Sequence, residues 1–176
     1  MGTLLLTVIS LFAFQAPATK IYQHNQCDFS FEYPSDWQIV KNPDYFTEDC
    51  ATTLRPVATA NPAPQDEELY TLTVQVSDRS FLQVSAENGF DFDGTWIVMG
   101  RQGIIDEAQI RKTGDWLILR GIATAGCDLG GQTALCSEYR VVARRKNDDH
   151  VVSITGGAQT EKVLELILKT FKFQTH

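Results

Sequence analysis

Alternating apolar and polar residues predict that strands make up most of this chain. The alternation is clear from Phe29 to Tyr33, where aromatic side chains are separated by Ser30 and Glu32, and again over residues 69–77. A period of two residues is typical of a strand with one buried face. Further strands are predicted at residues 37–40, 52–57, 104–112, 116–123, 135–145 and 151–155.

The stretch FSFEYPSDW (29–37) predicts a hairpin with an aromatic face. Pro34 has no backbone N–H to donate to a neighbouring strand, so the first strand must end there. Trp37 then opens a second strand and can pack over the aromatic side chains of the first. The residues predicted to be buried in this hairpin are Phe29, Phe31, Tyr33 and Trp37.

Two helices are predicted from capping residues and apolar spacing. Ser80 can cap the first helix, with Gln83 three residues on, and Asn88-Gly89 supplies a stop signal. Thr160 can cap the second helix, which has a wide apolar face. That face consists of Val163, Leu164, Ile167, Leu168 and Phe171. The predicted core therefore includes Leu164, Ile167 and Phe171, together with Trp116 from a predicted strand.

The order of these elements predicts an α+β fold. An antiparallel sheet of about six or seven strands would pack with the helices as an αβα sandwich. The acidic, proline-containing stretch 59–68 predicts an exposed loop, and no repeat or other linker interrupts residues 19–176. We therefore expect a single domain over residues 19–176.

The first eighteen residues are typical of a signal peptide. Residues 4–14 are apolar, uncharged and too short to span a bilayer, and the A-x-A pattern at 16–18 predicts cleavage between Ala18 and Thr19. No Lys or Arg precedes the apolar run, so a buried N-terminal strand or helix is the alternative. Export would make the mature protein secreted or periplasmic, with no membrane insertion once the signal is removed.

The chain contains four cysteines, which predict two disulfides in an exported protein. We expect the pairs Cys27–Cys50 and Cys127–Cys136, because each closes a local loop between segments interpreted as neighbouring strands. Zinc binding is the alternative, but the two spacings, with 22 and 8 intervening residues, contain no C-x-x-C pair.

The charge balance argues against a nucleic-acid partner. The net charge is −7 and the pI is near 4.9, whereas phosphate binding needs a basic surface. An acidic protein is repelled by anionic membranes and favours a basic protein as its partner. The cluster Arg144-Arg145-Lys146 is followed at once by acidic residues and is interpreted as a solvated hairpin end.

No catalytic, metal or cofactor site is predicted. DFDG (91–94) starts like a calcium loop, but its glycine comes two positions early and no glutamate closes the loop. Asp148-Asp149-His150 is better explained by turn formation than by acid–base chemistry. The glycines of GCDLGG (126–131) precede a strand rather than a helix, and no G-x-S-x-G nucleophile motif occurs.

Both ends of the predicted domain resemble the PsbP-like superfamily. Its members often begin with an aromatic hairpin of the type F-x-F-x-Y-P-x-x-W, as in FSFEYPSDW, and end in a helix running into S-F-K-F, as in VLELILKTFKF (163–173). The resemblance implies an α+β fold and a non-enzymatic binding protein, within a superfamily of mixed functions. The cysteines are not part of its general pattern, and the N-terminus does not resemble a plastid transit peptide.

Two functions remain open on the sequence. The first is a secreted, non-enzymatic interaction module (a scaffold, chaperone, inhibitor or immunity-type protein) that contacts a protein through loop 59–68 or the loop between Cys127 and Cys136. The second is a small secreted hydrolase or metal-binding enzyme. Its candidate residues are Asp91, Asp93, Asp148, Asp149 and His150.

Overall fold

A computed structural model describes residues 18–40, 50–57, 67–93, 97–99, 104–129 and 132–174. The predicted signal peptide up to residue 17 and residues 58–66 of the acidic loop lie outside these ranges. No helix among the described residues is long and apolar enough to cross a membrane.

The described chain contains twelve strands and three α-helices. In chain order they are β1 Thr19–His24, β2 Phe29–Pro34, β3 Trp37–Val40, β4 Ala51–Pro56, α1 Glu67–Tyr70, β5 Leu72–Ser77, α2 Phe81–Glu87, β6 Phe90–Phe92, β7 Ile97–Met99, β8 Ile104–Thr113, β9 Trp116–Leu129, β10 Gln132–Arg145, β11 Val151–Gly157, α3 Glu161–Thr170 and β12 Lys172–Phe173.

A large antiparallel sheet forms the centre of the molecule. Its seven strands lie in the order β3-β4-β5-β11-β10-β9-β8. A smaller sheet, β1-β2-β12, and a two-stranded ribbon, β6-β7, complete the strand pairing of the described residues. The predicted α+β class with an antiparallel sheet is confirmed.

The large sheet is buried on both faces because successive side chains on a strand point to opposite sides. Val141 and Ala143 of β10 belong to a core cluster with α3 and β2, whereas Val142 belongs to a second cluster with α2 and β6. The helix α3 and the small sheet therefore cover one face, and α2 covers part of the other.

The predicted hairpin at residues 29–37 is wrong in its pairing. β2 pairs with β1 and β12, while β3 pairs with β4 in the large sheet. The residues after Pro34 therefore carry the chain from one sheet to the other. Alternation identifies the buried face of a strand but not its neighbour, and the sequence analysis did not recognise β1 as a strand.

The aromatic residues of this segment nevertheless meet in one core. Phe29, Phe31 and Trp37 are buried, and Tyr33 is half-buried against the same cluster. The ring of Phe171, just after α3, stacks 5.5 Å from that of Phe29. The other residues predicted for the core are Leu164 and Ile167, which are fully buried, and Trp116, which is half-buried.

The capping predictions differ in outcome. The Ser80 hydroxyl accepts a hydrogen bond from the Gln83 backbone N–H at the start of α2. The Thr160 hydroxyl does not cap α3, because it donates instead to the carbonyl oxygen of Gly157, 2.8 Å away. A short 3₁₀ turn, Ala158–Thr160, precedes α3 and brings that carbonyl within reach of the hydroxyl.

Two predicted loops and strands also shift. Residues 67–70 form α1, so the strand predicted from residue 69 begins at Leu72. β9 extends to Leu129 and β10 begins at Gln132, so most of the segment between Cys127 and Cys136 is strand rather than loop.

A disulfide joins the two sheets at their N-terminal strands. Cys27 and Cys50 are bonded, with 5.7 Å between their Cα atoms. Cys27 lies in the turn before β2, and the carbonyl of Cys50, just before β4, accepts a hydrogen bond from the Val76 N–H. The bond therefore ties the small sheet to the edge of the large one.

Cys136 is also disulfide-bonded. The side chain of Cys127 lies outside the described residues, so the pair Cys127–Cys136 stays a prediction. The strand register is compatible with it, since Cys127 pairs with Ala134, two residues from Cys136.

Candidate functional site

The acidic residues and histidine of the enzyme alternative lie in a strand end and a turn. Asp91 and Asp93 are exposed at β6. In the β10–β11 turn, Asp148 Oδ1 accepts the backbone N–H of His150 and lies 2.9 Å from its Nδ1 atom. The described residues contain no group of three or more His, Cys, Asp or Glu side chains that could hold a metal. The arrangement is that of an Asx turn.

The edge of the large sheet at β8 offers a more open surface. Within the described ranges, β8 has β9 on one side and no strand on the other. The register shifts between Asp106 and Gln109, and from Gln109 to Thr113 every residue is exposed. A concave surface lies on each face of the sheet beside this segment.

The first concavity, here called the helix groove, lies between α3 and the β8–β9 strands and has a volume of about 580 Å³. Its floor consists of four half-buried apolar side chains: Trp116, Ile118, Leu166 and Leu168. Its rim consists of Arg111, Thr113, Arg120, Lys162, Glu165 and Lys169. The Trp116 ring contacts the ring of Phe171 edge-on at 6.1 Å, which fixes one end of the floor.

Ion pairs fix part of this rim. Arg120 is mostly buried and binds both Glu161 and Glu165, so it joins β9 to α3. The Arg120 guanidinium also lies 5.5 Å from the centre of the Tyr139 ring. Arg111, on β8, lies 3.8 Å from the same Glu165 carboxylate. Both carboxylates of this network are thus engaged by arginines.

The remaining cations of the helix groove are unpaired. Lys162 and Lys169 are exposed and have no hydrogen-bond or ion-pair partner among the described residues. Seven residues separate them on α3, so they lie on one side of the helix about 10 Å apart along its axis. The groove carries a surplus of positive charge on a chain whose net charge is −7.

The second concavity, here called the turn cleft, lies on the α2 face of the sheet where the β8–β9 and β10–β11 turns meet, and has a volume of about 840 Å³. The N–H of Lys146 donates to the carbonyl of Asp115 and holds the two turns together. Apolar residues in its wall are Phe92, Ile110, Trp116 and Leu117; charged residues are Lys112, Asp115, Arg144, Arg145, Lys146, Asp148 and Asp149.

The basic cluster 144–146 is more than a solvated hairpin end. The Arg144 guanidinium lies 4.9 Å from the centre of the Phe81 ring, so this side chain packs against α2. Arg145 and Lys146 are exposed at the cleft, as is Lys112 on β8, and their side chains have no partner in the described part of the chain.

Sequence reasoning did not identify the residues of either concavity. The only local signal for the helix groove is the pair of lysines seven residues apart on α3. The opposite side of the groove comes from residues 111–120, and nothing in either segment alone indicates that the two meet.

Comparison with known proteins gives the fold. No family model matches the chain, and no curated protein sequence matches it. A solved structure from Bacteroides thetaiotaomicron is similar, with a TM-score of 0.51 and 12% identity over 89% of this chain, which spans 49% of that protein's length. The Saccharomyces cerevisiae Ran-binding protein Mog1p is similar with a TM-score of 0.51 and 10% identity, over 90% of this chain and 96% of Mog1p.

Cyanobacterial PsbP from Synechocystis matches with a TM-score of 0.48 and 12% identity, over 94% of this chain and 98% of PsbP. At such identities the likeness concerns the fold alone. The PsbP-like fold expected from FSFEYPSDW and VLELILKTFKF is confirmed.

Proposed function

We propose that this protein is a non-enzymatic interaction module that acts outside the cytoplasm and binds a protein partner through the helix groove. The observation that carries the proposal is the floor of Trp116, Ile118, Leu166 and Leu168, four large apolar side chains left partly open to solvent within a charged rim. Apolar patches rimmed by polar residues mark interaction sites, and Trp and Arg are enriched among residues that dominate binding energy.

The fold supports a binding role rather than a catalytic one. Mog1p, which shares the fold, is a Ran-binding protein. Binding of a protein by another member of the fold does not name the partner here, but it favours a protein over a small substrate.

The disulfides support a location outside the cytoplasm. Cys27–Cys50 is bonded and Cys136 is also in a disulfide, and such bonds persist in oxidising compartments. The apolar residues 4–14 and the small residues at 16–18 supply the export signal that this location requires.

A site-specific crosslinking experiment tests the proposal. A photo-reactive benzoylphenylalanine replaces Leu166 in the groove or, as a matched control, Leu82, which is 54% exposed on α2. In the native host we expect a discrete protein adduct from position 166 and none from position 82. Adducts from position 82 alone, or none from position 166, would show that the groove is not the binding surface.

Calorimetry separates this function from the enzyme alternative. Titration of Ca²⁺ or Zn²⁺ into the protein should give no binding heat, and His150→Ala should behave in the same way. Saturable heat that disappears in His150→Ala would favour a metal-binding enzyme instead.

A further inference from the structure

We propose that the partner contributes an extended acidic segment, which adds as a strand to the outer edge of β8 between Gln109 and Thr113. This inference rests on the proposed function and names the chemistry of the partner. Strand addition at a sheet edge obtains affinity from backbone hydrogen bonds and specificity from pockets for alternate side chains.

The segment Gln109–Thr113 has the geometry of an acceptor strand. It pairs with β9 in regular register, from Gln109 opposite Arg120 to Thr113 opposite Trp116. In an edge strand the outward N–H and C=O groups have no strand partner, and five residues extend for about 17 Å. The register shift before Gln109 sets the N-terminal limit of the acceptor.

The two concavities match the alternation of an added strand. On β8, Arg111 and Thr113 line the helix groove, whereas Ile110 and Lys112 line the turn cleft. Side chains of a strand paired with β8 alternate between the same two faces. One set of side chains would therefore enter the helix groove and the other set the turn cleft.

Charge complementarity selects an acidic segment. Charged residues on an edge strand discourage pairing with other strands, and Arg111 and Lys112 do so for neutral or basic segments. Lys162 and Lys169 on the groove side are unpaired cations. Carboxylates of an incoming strand would pair with them, and the positive surface would steer the encounter.

The turn cleft adds to this preference. Its unpaired cations are Lys112, Arg145 and Lys146, and they outnumber its two carboxylates without a recorded partner, Asp115 and Asp149. The carboxylate of Asp148 is engaged by His150.

The apolar floors define the middle of the segment. Trp116, Ile118, Leu166 and Leu168 on one face, and Phe92, Ile110 and Leu117 on the other, would receive bulky apolar side chains. The expected segment has apolar residues in its centre and carboxylates on both sides. Net charge alone favoured a basic partner, but the charge beside β8 has the opposite sign.

Titration with synthetic peptides tests the inference. The probe is the blocked peptide Glu-Glu-Val-Phe-Val-Glu-Glu, added to ¹⁵N-labelled protein expressed from the full-length gene. We expect the amide shifts to concentrate at residues 109–113 and beside Lys162 and Lys169. The same peptide with both valine nitrogens methylated cannot donate those hydrogen bonds, and should bind about tenfold more weakly or worse.

Charge variants complete the test. A peptide with Lys in place of every Glu should not bind, and Lys162→Glu with Lys169→Glu should weaken binding of the acidic peptide about tenfold or more. The control Lys172→Glu, an exposed residue on β12, should leave binding nearly unchanged.

Each alternative result has a defined meaning. Equal binding of the methylated peptide would overturn strand addition, and equal binding of the lysine peptide would overturn the charge argument. Shifts confined to β3, the opposite edge of the sheet, would place the site elsewhere. Crosslinks from Leu166 without peptide binding would contradict this inference and leave the proposed function standing; peptide binding without crosslinks would contradict the proposed function.

Discussion

Removing the Cys27–Cys50 disulfide should lower the free energy of unfolding by about 3 kcal/mol. The two cysteines are 23 residues apart in sequence. In the chain-entropy model, closing a loop of this length removes about 11 cal/mol/K from the unfolded chain, which is about 3.4 kcal/mol at 25 °C. Both side chains are half-buried, so the loss of packing should add little to this value.

The assay is urea unfolding of the wild type and of the variant Cys27→Ser/Cys50→Ser, followed by tryptophan fluorescence and circular dichroism. The variant should unfold at lower urea, with a slightly steeper denaturant dependence, because an unfolded chain without the cross-link exposes more surface. The matched variant Cys27→Ala/Cys50→Ala should lose a similar free energy, because the cross-link rather than the side-chain chemistry decides the result.

Two outcomes would refute this reasoning. A loss below about 1 kcal/mol would mean that the unfolded chain does not gain the freedom that the model assigns. Complete unfolding of the variant at room temperature would mean that the core of the two sheets cannot stand without the bond, although domains of ordinary stability tolerate a loss of this size.

Three further predictions concern stability and processing. Trp37→Ala should cost about 3–5 kcal/mol in urea unfolding, because this side chain is only 6% exposed in the main core; a loss under about 1 kcal/mol would contradict its core position. Gly156→Ala should cost about 1–3 kcal/mol, because the new Cβ would overlap the Thr160 hydroxyl. Adding Thr160→Ala should recover part of that loss, and fully additive losses would argue against the overlap. Intact-mass measurement of protein expressed in a bacterial host should show a chain beginning at Thr19, whereas an unprocessed chain that stays in the cytoplasm would contradict removal of a signal ending at Ala18.

Local patterns were sufficient for much of the fold. Alternation located β2, β8, β10 and β11 within a few residues, and Ser80 with Gln83 marked the start of α2. The apolar face of α3 contributes Leu164 and Ile167 to the core. Such features depend on neighbouring residues, because the period of a strand or helix and the geometry of its cap arise within a few positions of the chain.

The sequence by itself therefore determined which residues are buried, the α+β class and the resemblance of the two ends to the PsbP-like fold. Only the tertiary structure decided that β2 and β3 belong to different sheets and that α3 lies beside β9. Arg120 meets Glu165 across 45 positions of sequence, and the helix groove exists because such distant segments pack together. A periodic pattern records that a face must be covered, but the covering segment is selected by packing of the whole chain, which no local pattern encodes.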